Sequence, residues 1–437
     1  MLSNMAWSVL SRGVQALTGF LAFLAITRYL TVTQLGDYAY VMALAASVLS
    51  FSYFGLQQTV VRETAQNPAD AASILGAGLS IRLILILVAA GAVWGYAATG
   101  ADTAAMAGAL ILAGLAESFR SLGQLACAVF QAHERLKQEF LLSMVHALTW
   151  GVALCVVVVS DLGLHWVLAA SVLALGVHSL LGWGLVWKDF VRPAFLSGLT
   201  RAWPMLKVSA VIGLAVVVVM NLFRVNVLML SWFDTPEQTA FFQVPHDLML
   251  KFQILFQATM LAAFPVLARL NATQETRRRL LGILHRIMGL GAIVLSLILC
   301  LCAEPLIMRL WGVKLTPSIL PLQILAWSAL PLALNILWSH ALVAADGQRY
   351  TFLANAFALV INVAASLVLI PMADAVGAAC AALLTYSAAA GFTLWFAVRL
   401  RLTPTRLIHI FLGHPSGSLK TLISEIRHPE SLRQEEA

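Results

Sequence analysis

The chain has 437 residues, of which 61% are hydrophobic and 11% charged, with a formal net charge of +7. A soluble domain averages about 25% charged residues, so composition excludes that class. What remains is an all-α, polytopic membrane protein.

Hydrophobic runs long enough to cross about 30 Å of hydrocarbon as a helix recur from one end to the other. The pattern predicts twelve spans, over residues 6–30, 38–60, 74–96, 105–129, 139–159, 166–187, 208–231, 241–268, 281–303, 318–344, 351–370 and 376–398. The breaks carry turn chemistry and charge, as in "QAHERLKQE", "WKDFVRP", "RLNATQETRRR" and "AADGQR". The first apolar run has no basic cluster ahead of it and reads as a retained helix. Counting six spans to each half gives an amino-terminal lobe over 1–200, a carboxyl-terminal lobe over 201–398 and a polar tail over 399–437.

One set of alternate connections collects nearly all the loop cations, among them Arg62, Arg135, Lys137, Lys188, Arg192 and Arg349. The opposite set holds Arg309 and Lys314. Positive charge stays in the cytoplasm, which puts both termini and the tail inside. This asymmetry accounts for the basic balance without a nucleic-acid partner. The halves also look alike. A shift of 203 places Arg28–Tyr40 on Ser231–Gln243, and a shift of 204 places Arg82 on Arg286. Duplicated six-helix units are a common way to build transporters, with cargo bound between the halves. In the tail, Leu419, Leu422, Ile423 and Ile426 share one helical face, which fits either a surface helix or an unattached segment.

No phosphate-binding loop, metal-ligand spacing or hydrolase nucleophile motif is present, so no cofactor is expected. The five cysteines lie unpaired in apolar stretches and read as small core residues. The ten histidines are scattered through the sequence without forming a close pair. Loops are short, the longest outer one being about 304–317, which leaves little from which to build an enzyme site.

Charge within the spans is therefore the informative signal. Such residues usually face a bundle interior or a watery cavity, because a cation at the bilayer centre costs about 2.5–3.5 kcal/mol. Lys251, in "AFFQVPHDLMLKFQILFQATM", is the deepest. Arg224, flanked by Asn221 and Asn226, has no acidic mate in its own span. Arg12 and Arg82 lie early in their spans and Arg28 at the far end of the first. Asp247 is four residues before Lys251, on the same helical face, and is its charge partner or a coupling residue. Glu117 and Arg120 form an i, i+3 pair near the end of span four and read as structural. A cavity holding Lys251, Arg224 and Arg12 would suit phosphate or carboxylate.

Several segments carry a family likeness. The opening supplies Asn4, Arg28-Tyr29-Leu30, Gly36-Asp37-Tyr38, Phe54-Gly55-Leu56 and Arg62-Glu63. The second half supplies "AAFPVLARL", Asn355, Asn362, Pro371 and Gly377-Ala378-Ala379. The chain resembles Wzx-type oligosaccharide flippases of the multidrug/oligosaccharidyl-lipid/polysaccharide exporter superfamily, over about residues 4–398. That resemblance implies two six-helix lobes in a bacterial inner membrane and a polyprenyl-diphosphate-linked oligosaccharide as cargo. A polysaccharide polymerase and other assembly proteins would be its partners. The related lipid II flippases keep arginines in the first span and a cation in the eighth, which Arg12 and Lys251 match. Many relatives carry an Asp in span seven where this chain reads Arg224 or Asn226. The competing readings are a cation-coupled drug or metabolite antiporter of the same superfamily and a membrane enzyme of glycan assembly.

Overall fold

A computed structural model describes residues 2–100, 103–190, 192–269 and 274–403; the polar tail beyond residue 403 lies outside the described residues. Among the described residues there are helices and no strand. In chain order they are α1 (Leu2–Tyr29), α2 (Val32–Tyr53), α3 (Leu56–Gln66), α4 (Ala71–Thr99), α5 (Ala104–Ala132), α6 (Leu136–Val159), α7 (Leu164–Asp189), α8 (Phe195–Leu222), α9 (Val225–Phe233), α10 (Pro236–Arg269), α11 (Gln274–Leu301), α12 (Ala303–Trp311), α13 (Ile319–Ala326), α14 (Ala329–Ala344) and α15 (Gln348–Arg399). The all-α membrane class expected from composition is what the chain forms.

Eight of these helical stretches are long and apolar enough to cross a membrane, or up to ten if each of two bent pairs is one span. α10, which carries Asp247 and Lys251, is not among them. The long α15 holds two of the expected spans. It breaks at Ala373 and Asp374, just after Pro371, with Asp374 at φ 48°. A Cβ on Gly377 would collide with the Leu369 carbonyl, although residues eight apart in a straight helix are about 12 Å apart. The chain therefore folds back on itself there.

Local sequence explains several boundaries. Thr31 caps α2, accepting from the Gln34 N–H while the Gln34 side chain accepts from the Thr31 N–H. Thr103 caps α5 through Met106. The apolar run 38–60 is divided by a corner at Phe54 and Gly55, both at positive φ. Gly55 is required there for a second reason: a Cβ would lie 2.8 Å from the Ser209 carbonyl and 2.9 Å from the Gly213 nitrogen of α8. The run 208–231 is likewise broken, between α8 and α9 at Phe223 and Arg224. The segment 304–317, expected to be a loop, is instead α12 followed by a 3-10 turn over Val313–Ser318. Ile307 and Trp311, four apart, are buried on one face of α12, while Glu304 and Arg309 are exposed.

The described residues form two compact units: those up to 243 with 310–315, and 244–309 with those from 316 onward. In the first, α3, α4, α5, α6, α7 and α8 contribute Val60, Ile74, Phe130, Leu142, Trp183 and Met205 to one core cluster. Its α1 end is tied by short-range polar contacts. Arg28 Nε donates to the Leu310 carbonyl at 2.6 Å, Lys314 Nζ to the Arg28 carbonyl at 2.9 Å, and Trp311 Nε1 to Thr27 Oγ1 at 2.6 Å. The Thr33 hydroxyl, at the start of α2, donates to Glu237 at the start of α10. That bond holds the Glu237 carboxyl below the usual carboxylate range. In the second unit, His246 Nε2 and Tyr386 Oη are 2.7 Å apart and fully buried, and Ser296 Oγ donates to the Ala326 carbonyl at 2.7 Å.

Candidate functional site

Within the first unit, α2, α4, α5 and α9 bring charged groups to one place around Tyr53. Arg82, eleven residues into α4 and so about 16 Å along it, has no exposed surface. Its Nη1 donates to Ser121 Oγ at 2.9 Å, and Ser121 shares a 2.7 Å hydrogen bond with Ser52. The guanidinium stacks over the Tyr53 ring at 5.4 Å. Its Nε and Nη2 are buried without a hydrogen-bond partner among the described residues. Few arginines are this deep with so little compensation, since a buried guanidinium normally saturates its donors.

Arg120 lies on α5, beside Ser121. Its Nε donates to Glu117 Oε1 at 3.0 Å; the Glu117 side chain is 4% exposed and that of Arg120 43%. Twelve residues separate Arg120 from the end of α5, or about 18 Å. The sequence predicts this pair near the helix end; in the structure it sits at mid-span. The electrostatic field at Tyr53 includes Glu117, Arg120, Arg82 and Arg224, and that at Arg120 includes Tyr53 and Tyr38. Arg224 caps the break before α9, with Nη1 donating to the Met220 carbonyl at 3.1 Å. Asn226 is fully buried in α9, and Asn221 donates to Ser50 Oγ at 3.1 Å.

The structure thus gathers Arg82, Arg224 and Glu117 of the sequence-predicted residues, with Asn226 nearby in the chain, and adds Arg120 and Tyr53. Three guanidiniums and one carboxylate act on Tyr53, a positive balance suited to an anion. Arg12 and Arg28 are elsewhere. Arg12 is exposed on α1, in the field of Glu139 on α6, where Gln15 donates to Ser143 at 2.9 Å. Arg28 is exposed at the end of α1, in the contact with Leu310 described above. Asp247 and Lys251, both half-buried on α10, belong to the second unit.

Two histidines also meet, although the sequence shows no close pair. His146 of α6 and His178 of α7 have ring centroids 5.8 Å apart, edge to face. Tertiary packing of α6 on α7 makes the pair, so no spacing in the sequence could reveal it. Further along the same helices is an apolar crevice of about 670 Å³, lined by Leu148, Val152, Val156, Trp166 and Leu173.

A family model described as "Polysaccharide biosynthesis protein" matches residues 1–271, more than half of the chain. The protein belongs to this family. Its fold is shared with solved transporters. The chain aligns over 98% of its length with all of a structure described as the lipid II flippase MurJ in an inward closed conformation, at TM-score 0.72 and 12% identity. It aligns over 90% of its length with 98% of an inward-facing multidrug resistance MATE family transporter of the MOP superfamily, at TM-score 0.69 and 13% identity. A MOP superfamily transporter from Pyrococcus furiosus, described by the reverse polarity of its binding pocket, matches 90% of this chain with 93% of its own, at TM-score 0.60 and 14% identity. No curated protein matches the chain. Family and fold together make it a multi-pass membrane protein with the architecture of MOP transporters.

Proposed function

We propose that the protein is a flippase for a polyprenyl-diphosphate-linked oligosaccharide, such as an O-antigen, capsule or exopolysaccharide repeat unit. In this reading it works by alternating access between two six-span lobes, 1–200 and 201–398, and catalyses no covalent chemistry. The cargo passes from the cytoplasmic to the periplasmic leaflet of a bacterial inner membrane, with both chain termini cytoplasmic. A polysaccharide polymerase and other assembly proteins take up the product.

The observation that carries this reading is the gathering of Arg82, Arg120 and Arg224 with Glu117 around Tyr53. An unbalanced positive charge in hydrocarbon is costly, and a diphosphate offers the counter-charge and the acceptor oxygens that guanidinium donors need. Membership in the polysaccharide biosynthesis family and the fold shared with a lipid II flippase support the same class of cargo. Cationic drugs would be repelled by these charges, which disfavours the antiporter reading. Lys251, Arg12 and Arg28 act as further contacts along the path, with Asp247 and Asn226 modulating them.

The test is reconstitution of the full chain into vesicles with a polyprenyl-diphosphate-linked sugar, read by its accessibility to an impermeant reagent. Wild type should equilibrate the sugar between leaflets, and Arg120→Gln or Lys251→Glu should slow this about tenfold or more. Absence of any protein-dependent equilibration overturns the reading.

A further inference from the structure

We propose that His146, His178 and Arg120 form a proton-linked anion site inside the first unit, where a phosphate-class anion and a proton bind together. This rests on the reading above, that an anionic headgroup enters the molecule, and adds a titratable partner to it.

The geometry comes from three helices. On α5, Arg120 and Gly123 are one turn apart on the same face. At Gly123 His178 of α7 packs directly on α5: a Cβ there would lie 2.7 Å from His178 Nδ1. Glycine at 123 thus lets the His178 ring settle against α5 beside Arg120. From α6, His146 meets the same ring at 5.8 Å. Arg120 lies in the electrostatic field of both imidazoles. His146 is ten residues into α6 and His178 eleven from the end of α7, about 15–16 Å along each helix. All three groups therefore share the mid-span level.

Their hydrogen-bonding capacity is largely unused. Arg120 spends Nε on Glu117, and 43% of its side chain remains exposed. Both imidazoles are half-buried, and no hydrogen bond among the described residues engages their ring nitrogens. The charged or titratable groups whose fields reach Arg120 are Glu117, already paired on α5, and Tyr53 and Tyr38 of α2, with Arg82 of α4 acting on Tyr53. Further off, Glu139 of α6 is held by Gln131 and lies in the field of Arg12 on α1. No carboxylate faces the two imidazoles in this set.

A proton on either imidazole adds a second positive charge beside Arg120, and an anion seated at the open edge of the guanidinium compensates both. Binding of one must therefore favour binding of the other, by reciprocal linkage. Two imidazoles this close share such a proton more readily than they hold two. Loading the anion then takes a proton into the first unit, and releasing the anion frees it. Protonation makes an N–H donor of the second ring nitrogen, so the bond formed is N–H···O to the anion, with no covalent change.

The experiment is isothermal titration of the purified full chain with inorganic pyrophosphate, in two buffers of different ionisation heat. Wild type is compared with His146→Gln, His178→Gln and the double variant, with thermal melting as a check on folding. The protonation of pyrophosphate itself cancels in the difference between wild type and variant. Wild type should take up about half a proton more than the double variant at about pH 6.5, and lose about tenfold in affinity from about pH 5.5 to about pH 8. The double variant should bind with a flatter pH profile, and each single variant should fall between. Equal proton uptake in wild type and variants overturns the proposal, as does wild type that binds no pyrophosphate. If the double variant fails to fold, the two single variants decide on the same criterion. His-dependent uptake without sugar equilibration in vesicles would sink the flippase reading and leave this site standing. Equilibration without His-dependent uptake would do the reverse.

Discussion

The two compact units bury polar groups at mid-span in different ways. The first holds a cation, Arg82, with a tyrosine face and one serine as its compensation. The second holds neutral polar groups: His246 on Tyr386, Asn362 with Ser366, and His285 against Trp338. Its buried cation, Arg277, sits at the start of α11 and not in the middle of a helix. Neutral groups of this kind can close a bundle, because burying them costs far less desolvation than burying a charge. A partly satisfied guanidinium does not improve packing: replacing buried ions by apolar groups is often neutral or stabilising. The contrast assigns structural glue to the second unit's polar groups and a charge requirement to the first.

The sharpest way to break that contrast is Arg82→Met, which keeps much of the side-chain length and removes the charge. If Arg82 is held for cargo, transport in the vesicle assay should fall about a hundredfold while the melting temperature stays within about 3 °C of wild type. A large loss of melting temperature with transport intact would make Arg82 a structural residue like those of the second unit.

Much of this molecule is legible in its sequence. Most of the expected spans correspond to helices apolar enough to cross a membrane, 241–268 not among them, and Arg82 stands out because an arginine in "GLSIRLILILV" cannot be hidden by composition. Corners are less visible. Phe54–Gly55, Phe223–Arg224 and Trp327–Ser328 each break a helix with one or two residues inside an apolar run, leaving no change in hydropathy. The helix α12 resembles a loop in the sequence because Glu304 and Arg309 mask the four-residue spacing of Ile307 and Trp311. Arg120 is masked in the sequence by Glu117 three residues before it, yet pairing at one nitrogen leaves the rest of a guanidinium available. The His146–His178 contact has no local signature, since it exists only through the packing of α6 on α7.

A smaller effect separates packing from charge within the first unit. Gly55→Ala would force a Cβ toward backbone atoms of α8 at φ 68°, a left-handed conformation costing about 1–2 kcal/mol for other residues. With the steric term added, about 2–3 kcal/mol of stability should be lost in denaturant titration. Gly19→Ala on α1, where a Cβ would meet nothing within 4 Å, is the control and should gain up to about 1 kcal/mol. Equal effects at both sites would mean that the Gly55 corner does not hold α2 and α3 against α8.

The smallest effect expected is in the second unit, and it tests the neutral half of the comparison. Tyr386→Phe removes the hydroxyl that sits 2.7 Å from His246 Nε2 while keeping the ring, which lies nearly parallel to the imidazole at 9°. Packing is preserved, so the loss should be that of one buried neutral hydrogen bond, about 1–2 kcal/mol. His246→Phe combined with Tyr386→Phe replaces both partners by apolar rings and should cost less than the sum of the single changes, giving a coupling of about 1 kcal/mol. The sign of that coupling matters more than its size. A favourable coupling means the pair is stabilising in its own right, and the second unit is then held by polar groups that satisfy one another. Zero coupling would mean these groups stay buried for some reason other than stability, as proposed for Arg82, and the distinction between the two units would vanish.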